Sequence, residues 1–136
     1  MNEWQDMTRW GKRSITFVRG RSAHKLAADM GAGHNVRAPH HTVGEIGIVG
    51  ELALAAGGVL YLEDIEEFRL ACIRSVARIW VKMDPEARPA IVARVSDDEA
   101  GRRAIGAFME YLPENELGSK VPVIDVDAAE GNPWKG

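Results

Sequence analysis

The sequence predicts an α/β domain built on a parallel β-sheet. Residues 15–18, 59–62 and 91–95 are short runs that are mostly apolar or β-branched. A continuous apolar run, rather than an alternating one, is what a strand covered on both faces requires. Helix-like segments separate these runs, which indicates a three-layer arrangement with helices on both faces of the sheet.

The segments between the strands carry helix signals. Residues 26–30 predict a short helix that Gly31 ends. Apolar residues recur at three- and four-residue intervals over residues 65–83, which predicts one amphipathic helix. Cys72 falls on the apolar stripe of that helix, so we expect it to be a core residue.

Two further strands complete the predicted sheet. Residues 35–38 form the second strand, and residues 121–124 form the last one. Pro122 places the last strand at an edge, because proline cannot donate to a ladder. Ser96 and Glu99 form a capping box, which predicts a helix ahead of that last strand.

Length and composition limit the classes of function. With 136 residues, the chain is expected to form one domain over residues 1–127, followed by an irregular tail over residues 128–136. A net charge of −3 makes nucleic acid an unexpected partner, since nucleic-acid binding needs a basic surface. The single cysteine, the polar N-terminus and the absence of an apolar run of about 20 residues predict a cytoplasmic protein that does not enter a membrane.

Two carboxylates follow the most apolar strand. Glu63 and Asp64 come directly after residues 59–62. Ligands of open parallel sheets bind beyond the carboxyl ends of the strands. Paired acids at that place are typical of a Mg²⁺-nucleotide site, where one carboxylate holds the metal shell and the other orients a water molecule. The alternative is a buried strand that stops at a solvated charged turn.

The loop after the first strand is basic. Its cations precede a predicted helix and make a candidate anion site: Arg19, Arg21 and Lys25. On the phosphate-loop pattern G-x-x-x-x-G-K-[ST], Lys25 fits, His24 stands at the second glycine and Leu26 at the hydroxyl position. Gly20 lies one place after the first glycine position. The alternative is an ordinary surface turn with solvated basic residues.

Two blocks of sequence resemble a known family. Residues 37–42, Arg-Ala-Pro-His-His-Thr, and residues 50–68, from Gly-Glu-Leu to Glu-Phe, are similar to the central block of the magnesium-chelatase-like AAA+ ATPases. The resemblance is closest to the bacterial competence-protein branch, and it spans about a quarter of the chain. It implies the sheet order 5-1-4-3-2, and it implies ATP and Mg²⁺ as cofactors.

The resemblance also assigns roles to residues. Lys25 would hold phosphates in the loop that includes Gly20, His24 and Leu26, Glu63 would hold the Mg²⁺ shell, and Asp64 would be the catalytic group that orients water. This chain departs from the family pattern. The family orders its two acids Asp-Glu rather than Glu-Asp, carries an asparagine where Ser96 stands, and appends a helical lid that is not expected here.

These departures predict a minimal AAA+-like domain that binds ATP and Mg²⁺ but hydrolyses ATP slowly or not at all. If the chain is an enzyme, it is an ATPase at most. Two alternatives stay open. One is a pseudo-ATPase that binds a partner protein, and the other is a unit that completes a ring or a site with a second copy.

Three histidines raise the question of a metal site. His34, His40 and His41 lie near Glu45 without a regular ligand spacing. Successive side chains of an extended backbone point to opposite faces, so His40 and His41 are not expected to share one ion. The pattern favours a loop whose rings form local hydrogen bonds or pack beside a nucleotide.

Overall fold

The computed structural model describes residues 15–31, 35–111 and 123–125. The predictions for His34, Pro122 and residues 128–136 concern positions outside the described residues. No helix in the described ranges is long and apolar enough to cross a membrane.

The described chain forms one parallel sheet, as the apolar runs predict. Its strands are β1 (Ile15–Arg19), β2 (Val36–Arg37), β3 (Val59–Leu62), β4 (Ala90–Arg94) and β5 (Val123–Asp125). The order across the sheet is β2-β3-β4-β1-β5, and every neighbouring pair is parallel. Counted from the β5 edge, this is 5-1-4-3-2, and β5 lies at an edge as expected.

Helices cover both faces of the sheet and give three layers. They are α1 (Ala23–Met30), α2 (Glu45–Leu54), α3 (Leu70–Lys82) and α4 (Glu99–Met109). Among the described helices, α1 is the one that covers the first face, where Leu26 joins Val59, Tyr61 and Val92 in a small core. The other three helices cover the opposite face and enclose a larger core.

Burial of β3 on both faces explains why its sequence is apolar without alternation. Val59 and Tyr61 face the core under α1, whereas Leu60 and Leu62 face the larger core under α2, α3 and α4. All four residues are buried. Burying an apolar side chain of this size stabilises the fold by about 1.5–3 kcal/mol, so both layers are tied to this one strand.

The helix predicted over residues 65–83 is wrong at its start. Asp64 has the left-handed backbone angle φ 56°, and only a short 3₁₀ helix, Ile65–Glu67, follows it. Phe68 and Arg69 are extended, and α3 then begins at Leu70. Ile65 and Phe68 are nevertheless buried, so their apolar spacing reflects burial in the 3₁₀ segment rather than an α-helix. Cys72 is a core residue, as predicted.

The helix cap predicted at Ser96 is also wrong, because Asp98 occupies that position. The Asp98 carboxylate accepts a hydrogen bond from the Gly101 amide at 2.9 Å and one from the Ser96 hydroxyl at 2.6 Å. These bonds, that of Ser96 first, lower the pKa of Asp98. Ser96 therefore supports the cap indirectly, through its hydrogen bond to the Asp98 carboxylate.

Helix α2 is not predicted by the sequence. Gly47 and Gly50 lie inside it, and glycine disfavours helix interiors by about 1 kcal/mol relative to alanine. Ile48, Leu52 and Ala55 recur at helical spacing on its buried side. Packing of that side onto α3 and the sheet therefore outweighs the low propensity of the two glycines.

Two glycines of α4 give opposite predictions for the same substitution. A Cβ at Gly101 would lie 2.1 Å from the Ser96 carbonyl oxygen, whereas a Cβ at Gly106 would meet nothing within 4 Å. We expect Gly101→Ala to lower the free energy of unfolding by about 1–3 kcal/mol through overpacking. Gly106→Ala should raise it by about 0.5–1 kcal/mol, and urea denaturation measures both. Equal effects of the two substitutions would contradict the close approach at Gly101.

Candidate functional site

A cavity of about 290 Å³ lies at the carboxyl end of β3. The first turn of α1, the loop after β2 and the end of β3 supply its lining: His24, Ala38, Pro39, His40, His41, Tyr61, Glu63 and Asp64. This is the edge of an open α/β sheet at which ligands bind. The cavity therefore lies where the position of the two acids predicts a site.

The two carboxylates of the cavity share one cation from the neighbouring strand. The Arg94 guanidinium lies 3.5 Å from Glu63 Oε1 through Nη1 and 3.7 Å from Asp64 Oδ1 through Nε. Strands β3 and β4 pair with Leu62 opposite Ala93. Glu63, which follows β3, and Arg94, which ends β4, are therefore neighbours. The side chains of Glu63 and Asp64 are 56% and 45% exposed, which leaves room for a ligand beside them.

Tyr61 places a polar atom at the buried side of the cavity. The residue is 2% exposed, and its hydroxyl has no hydrogen-bond partner among the described residues. Burial, and next the negative charge of Glu63, raise the pKa of the Tyr61 phenol. The group is therefore an O–H donor across the physiological pH range. From the sequence, Tyr61 is predicted only to be a strand residue. Its hydroxyl within an apolar run is the signal that could have identified it as a site residue.

The histidine loop forms a ring stack rather than two opposed side chains. The rings of His40 and His41 lie 4.2 Å apart between centroids, at an interplanar angle of 32°. The expectation of opposite faces is wrong because these residues lie in an irregular segment, not in an extended strand. The prediction of local hydrogen bonding is confirmed for His40, whose Nδ1 lies 2.8 Å from Thr42 Oγ1.

The residues matched to a phosphate loop lie in different surroundings. His24 lines the cavity and contacts the Tyr61 ring edge-to-face at 5.5 Å between centroids. Lys25 is exposed on the same first turn of α1 and does not line the cavity. Leu26 is fully buried in the core beneath α1. Gly20, with φ 119°, makes the turn out of β1 in a conformation that favours glycine.

The connection between β1 and α1 is short. Only Gly20, Arg21 and Ser22 separate the two elements, and the Ala23 amide bonds back to the Gly20 carbonyl at 3.4 Å. Arg19 turns toward Asp97, with 3.4 Å between the charged groups. The basic residues predicted for an anion site therefore lie around the N-terminus of α1, beside the cavity rather than inside it.

The residues present do not fit a Mg²⁺ ion. The position that would supply a hydroxyl ligand holds Leu26, which is buried in the core. Glu63 and Asp64 are paired with Arg94. Across the described part of the chain, no group of three His, Cys, Asp or Glu residues is arranged to hold a metal ion. Mg²⁺ is commonly held by one or two carboxylates together with waters and ligand phosphates, so the pairing of both acids with Arg94, rather than their number, disfavours the ion here.

Comparisons with known proteins give no family. No protein-family model matches this chain, and a search of curated proteins gives no significant match. The site is therefore interpreted from its own geometry.

The buried phenol predicts a specific dependence of stability on pH. Folding raises the pKa of Tyr61. The stability that the protonated phenol contributes is therefore fully present below the unfolded pKa of about 10, and it is lost as the pH rises above that value. We expect Tyr61→Phe to flatten the loss of stability above about pH 10. Urea denaturation at a series of pH values measures this slope. Identical slopes for the two proteins would contradict burial of the phenol.

Proposed function

We propose that this chain is a nucleotide-binding pseudo-ATPase with an AAA+-like core, similar to the magnesium-chelatase-like ATPases. It binds a nucleotide at the carboxyl edge of the sheet and does not hydrolyse it on its own. The all-parallel sheet supports this proposal, because it brings the first turn of α1 and the acids after β3 to the same edge.

The observation that carries the proposal is the cavity between His24 on α1 and the acids after β3. In a phosphate-loop domain, these two elements face each other across the bound phosphates. The N-terminus of α1 attracts anions through its dipole, and Lys25 adds a positive charge on the same turn. Phosphates are thus expected over this turn, next to the cavity.

The absence of hydrolysis follows from what the same residues do. Catalysis of phosphoryl transfer depends on positioning and on stabilising the charge that develops, a task in which Mg²⁺ takes the largest part. Leu26 offers no ligand to a metal, since it is buried in the core. Asp64 is turned by its left-handed backbone and is paired with Arg94. No described group is therefore in place as the water-orienting base.

Titration with a fluorescent ATP analogue tests binding. We expect saturable binding that Lys25→Ala weakens by about tenfold or more, because a charged phosphate contact is lost. Lys82→Ala is the matched control, since Lys82 is an exposed lysine at the far end of α3. A parallel assay of phosphate release should show no turnover above the buffer rate. Absence of binding at millimolar nucleotide, or Mg²⁺-dependent turnover, would contradict the proposal.

A second candidate function is self-association, and the outward face of α2 favours it. Ile46 is 92% exposed and Leu54 is 59% exposed on this helix. Its two acids are already engaged, as Glu45 accepts from the Ser75 hydroxyl at 3.2 Å and Glu51 forms a two-point ion pair with Arg37. Contact between the same faces of two copies would bury these apolar side chains, and Arg37 offsets the charge of Glu51, which favours an isologous contact between two α2 helices.

Mass measurement across a range of protein concentrations tests this second function. A dimer that forms through α2 should be weakened by Ile46→Lys, which places a charge in the contact. Ala53→Ser is a milder change on the same helix and should leave the mass distribution unaltered. A strict monomer at all concentrations, with and without ATP, would exclude the second function.

A further inference from the structure

We infer that Arg94 is a built-in counter-ion that takes the place of a divalent cation, so that the site binds its ligand without a metal. This inference deepens the proposed function and relies on it only for the kind of ligand. The pairing of β3 with β4 and the contacts of the guanidinium define the role of Arg94 whatever the ligand.

The position of Arg94 is fixed by the sheet. It is the last residue of β4, a strand with neighbours on both sides, and it stands next to the first residue after β3. Residues 90–93 of the same strand are fully or almost fully buried. The guanidinium therefore extends from a rigid element toward the acids, and a group on a strand is placed more accurately than one on a loop.

Arg94 is also placed to serve both acids at once. One nitrogen lies 3.5 Å from Glu63 and another lies 3.7 Å from Asp64. A planar guanidinium presents several donors in fixed directions, which lets it bridge two carboxylates where a lysine presents one compact charge. The two acids and the arginine together carry a net charge of −1, instead of the −2 that would attract a divalent ion.

A divalent cation between these acids would meet repulsion from the Arg94 guanidinium. It would lie within a few ångströms of the guanidinium charge, and unit charges at such distances interact appreciably even in water. Tyr61 lines the cavity as a buried, protonated phenol whose pKa is raised, so it donates a hydrogen bond rather than ligating a metal. The other polar groups of the lining already have partners: His24 contacts the Tyr61 ring, and His40, which is stacked on His41, lies within hydrogen-bond distance of Thr42.

The test measures metal binding directly, with no nucleotide present. Mn²⁺ serves as the probe, because its free and bound forms are distinguished by electron paramagnetic resonance. We expect no saturable binding to the unaltered protein at millimolar Mn²⁺. Arg94→Gln should create a site whose affinity is at least about tenfold higher, since it removes the repelling charge and frees both acids. Adding Asp64→Asn to Arg94→Gln should remove that site again.

Two controls separate the role of Arg94 from a general change in charge. Arg94→Lys keeps the positive charge at the end of β4 and should continue to exclude Mn²⁺. Arg103→Gln removes an exposed charge that pairs with Glu99 at 3.9 Å on α4, and it should bind no more Mn²⁺ than the unaltered protein. Circular dichroism of each variant confirms that it is folded before the titration.

Two results would overturn the inference: saturable Mn²⁺ binding by the unaltered protein that Asp64→Asn abolishes, or no gain of binding by folded Arg94→Gln. Neither result depends on whether ATP binds. If Arg94→Gln gains a Mn²⁺ site while no form of the protein binds the ATP analogue, the role of Arg94 stands and the nucleotide proposal fails. If the ATP analogue binds equally well with and without Mg²⁺, both proposals are supported.

Discussion

The burial of β3 on both faces is the constraint on which the rest of the structure depends. Its odd and even residues belong to different cores, so a shift of one residue in its pairing with β4 would exchange the two sets. The same pairing places Glu63 next to Arg94 at the end of the strands. The hydrophobic effect that holds the layers together thus also fixes the position of three charged groups. Glu63 and Asp64 follow the end of β3, and Arg94 ends β4.

The cavity combines groups that a packed core excludes. Tyr61 brings a hydroxyl to its buried side, the His40–His41 stack forms one wall, and Glu63 and Asp64 reach toward solvent. The Tyr61 hydroxyl is buried beside Glu63, whose charge helps burial to raise the pKa of the phenol. Together these groups offer donors and acceptors to a polar ligand, which the apolar cores on the two faces of the sheet do not.

The sequence predicts the sheet better than the connections. Each central strand is a continuous apolar run, and burial on two faces leaves that pattern regardless of the neighbours. Helix α2 is missed because Gly47 and Gly50 lower its propensity, whereas tertiary packing of Ile48 and Leu52 decides its state. At the site, Glu63 and Asp64 are found from their position after β3. Arg94 is missed although the implied order 5-1-4-3-2 puts the fourth strand beside the third, because the register that brings Arg94 next to Glu63 cannot be read from the sequence.

The left-handed backbone of Asp64 restricts how the sequence of this site can change. Aspartate tolerates this conformation comparatively well, because its short side chain interacts with the local backbone, whereas a longer side chain such as glutamate gains less from it. A substitution that exchanged the two acids into the order Asp-Glu would therefore put glutamate where the backbone disfavours it. The present order therefore suits the turn, and the Asp-Glu order would require the turn to be rebuilt as well.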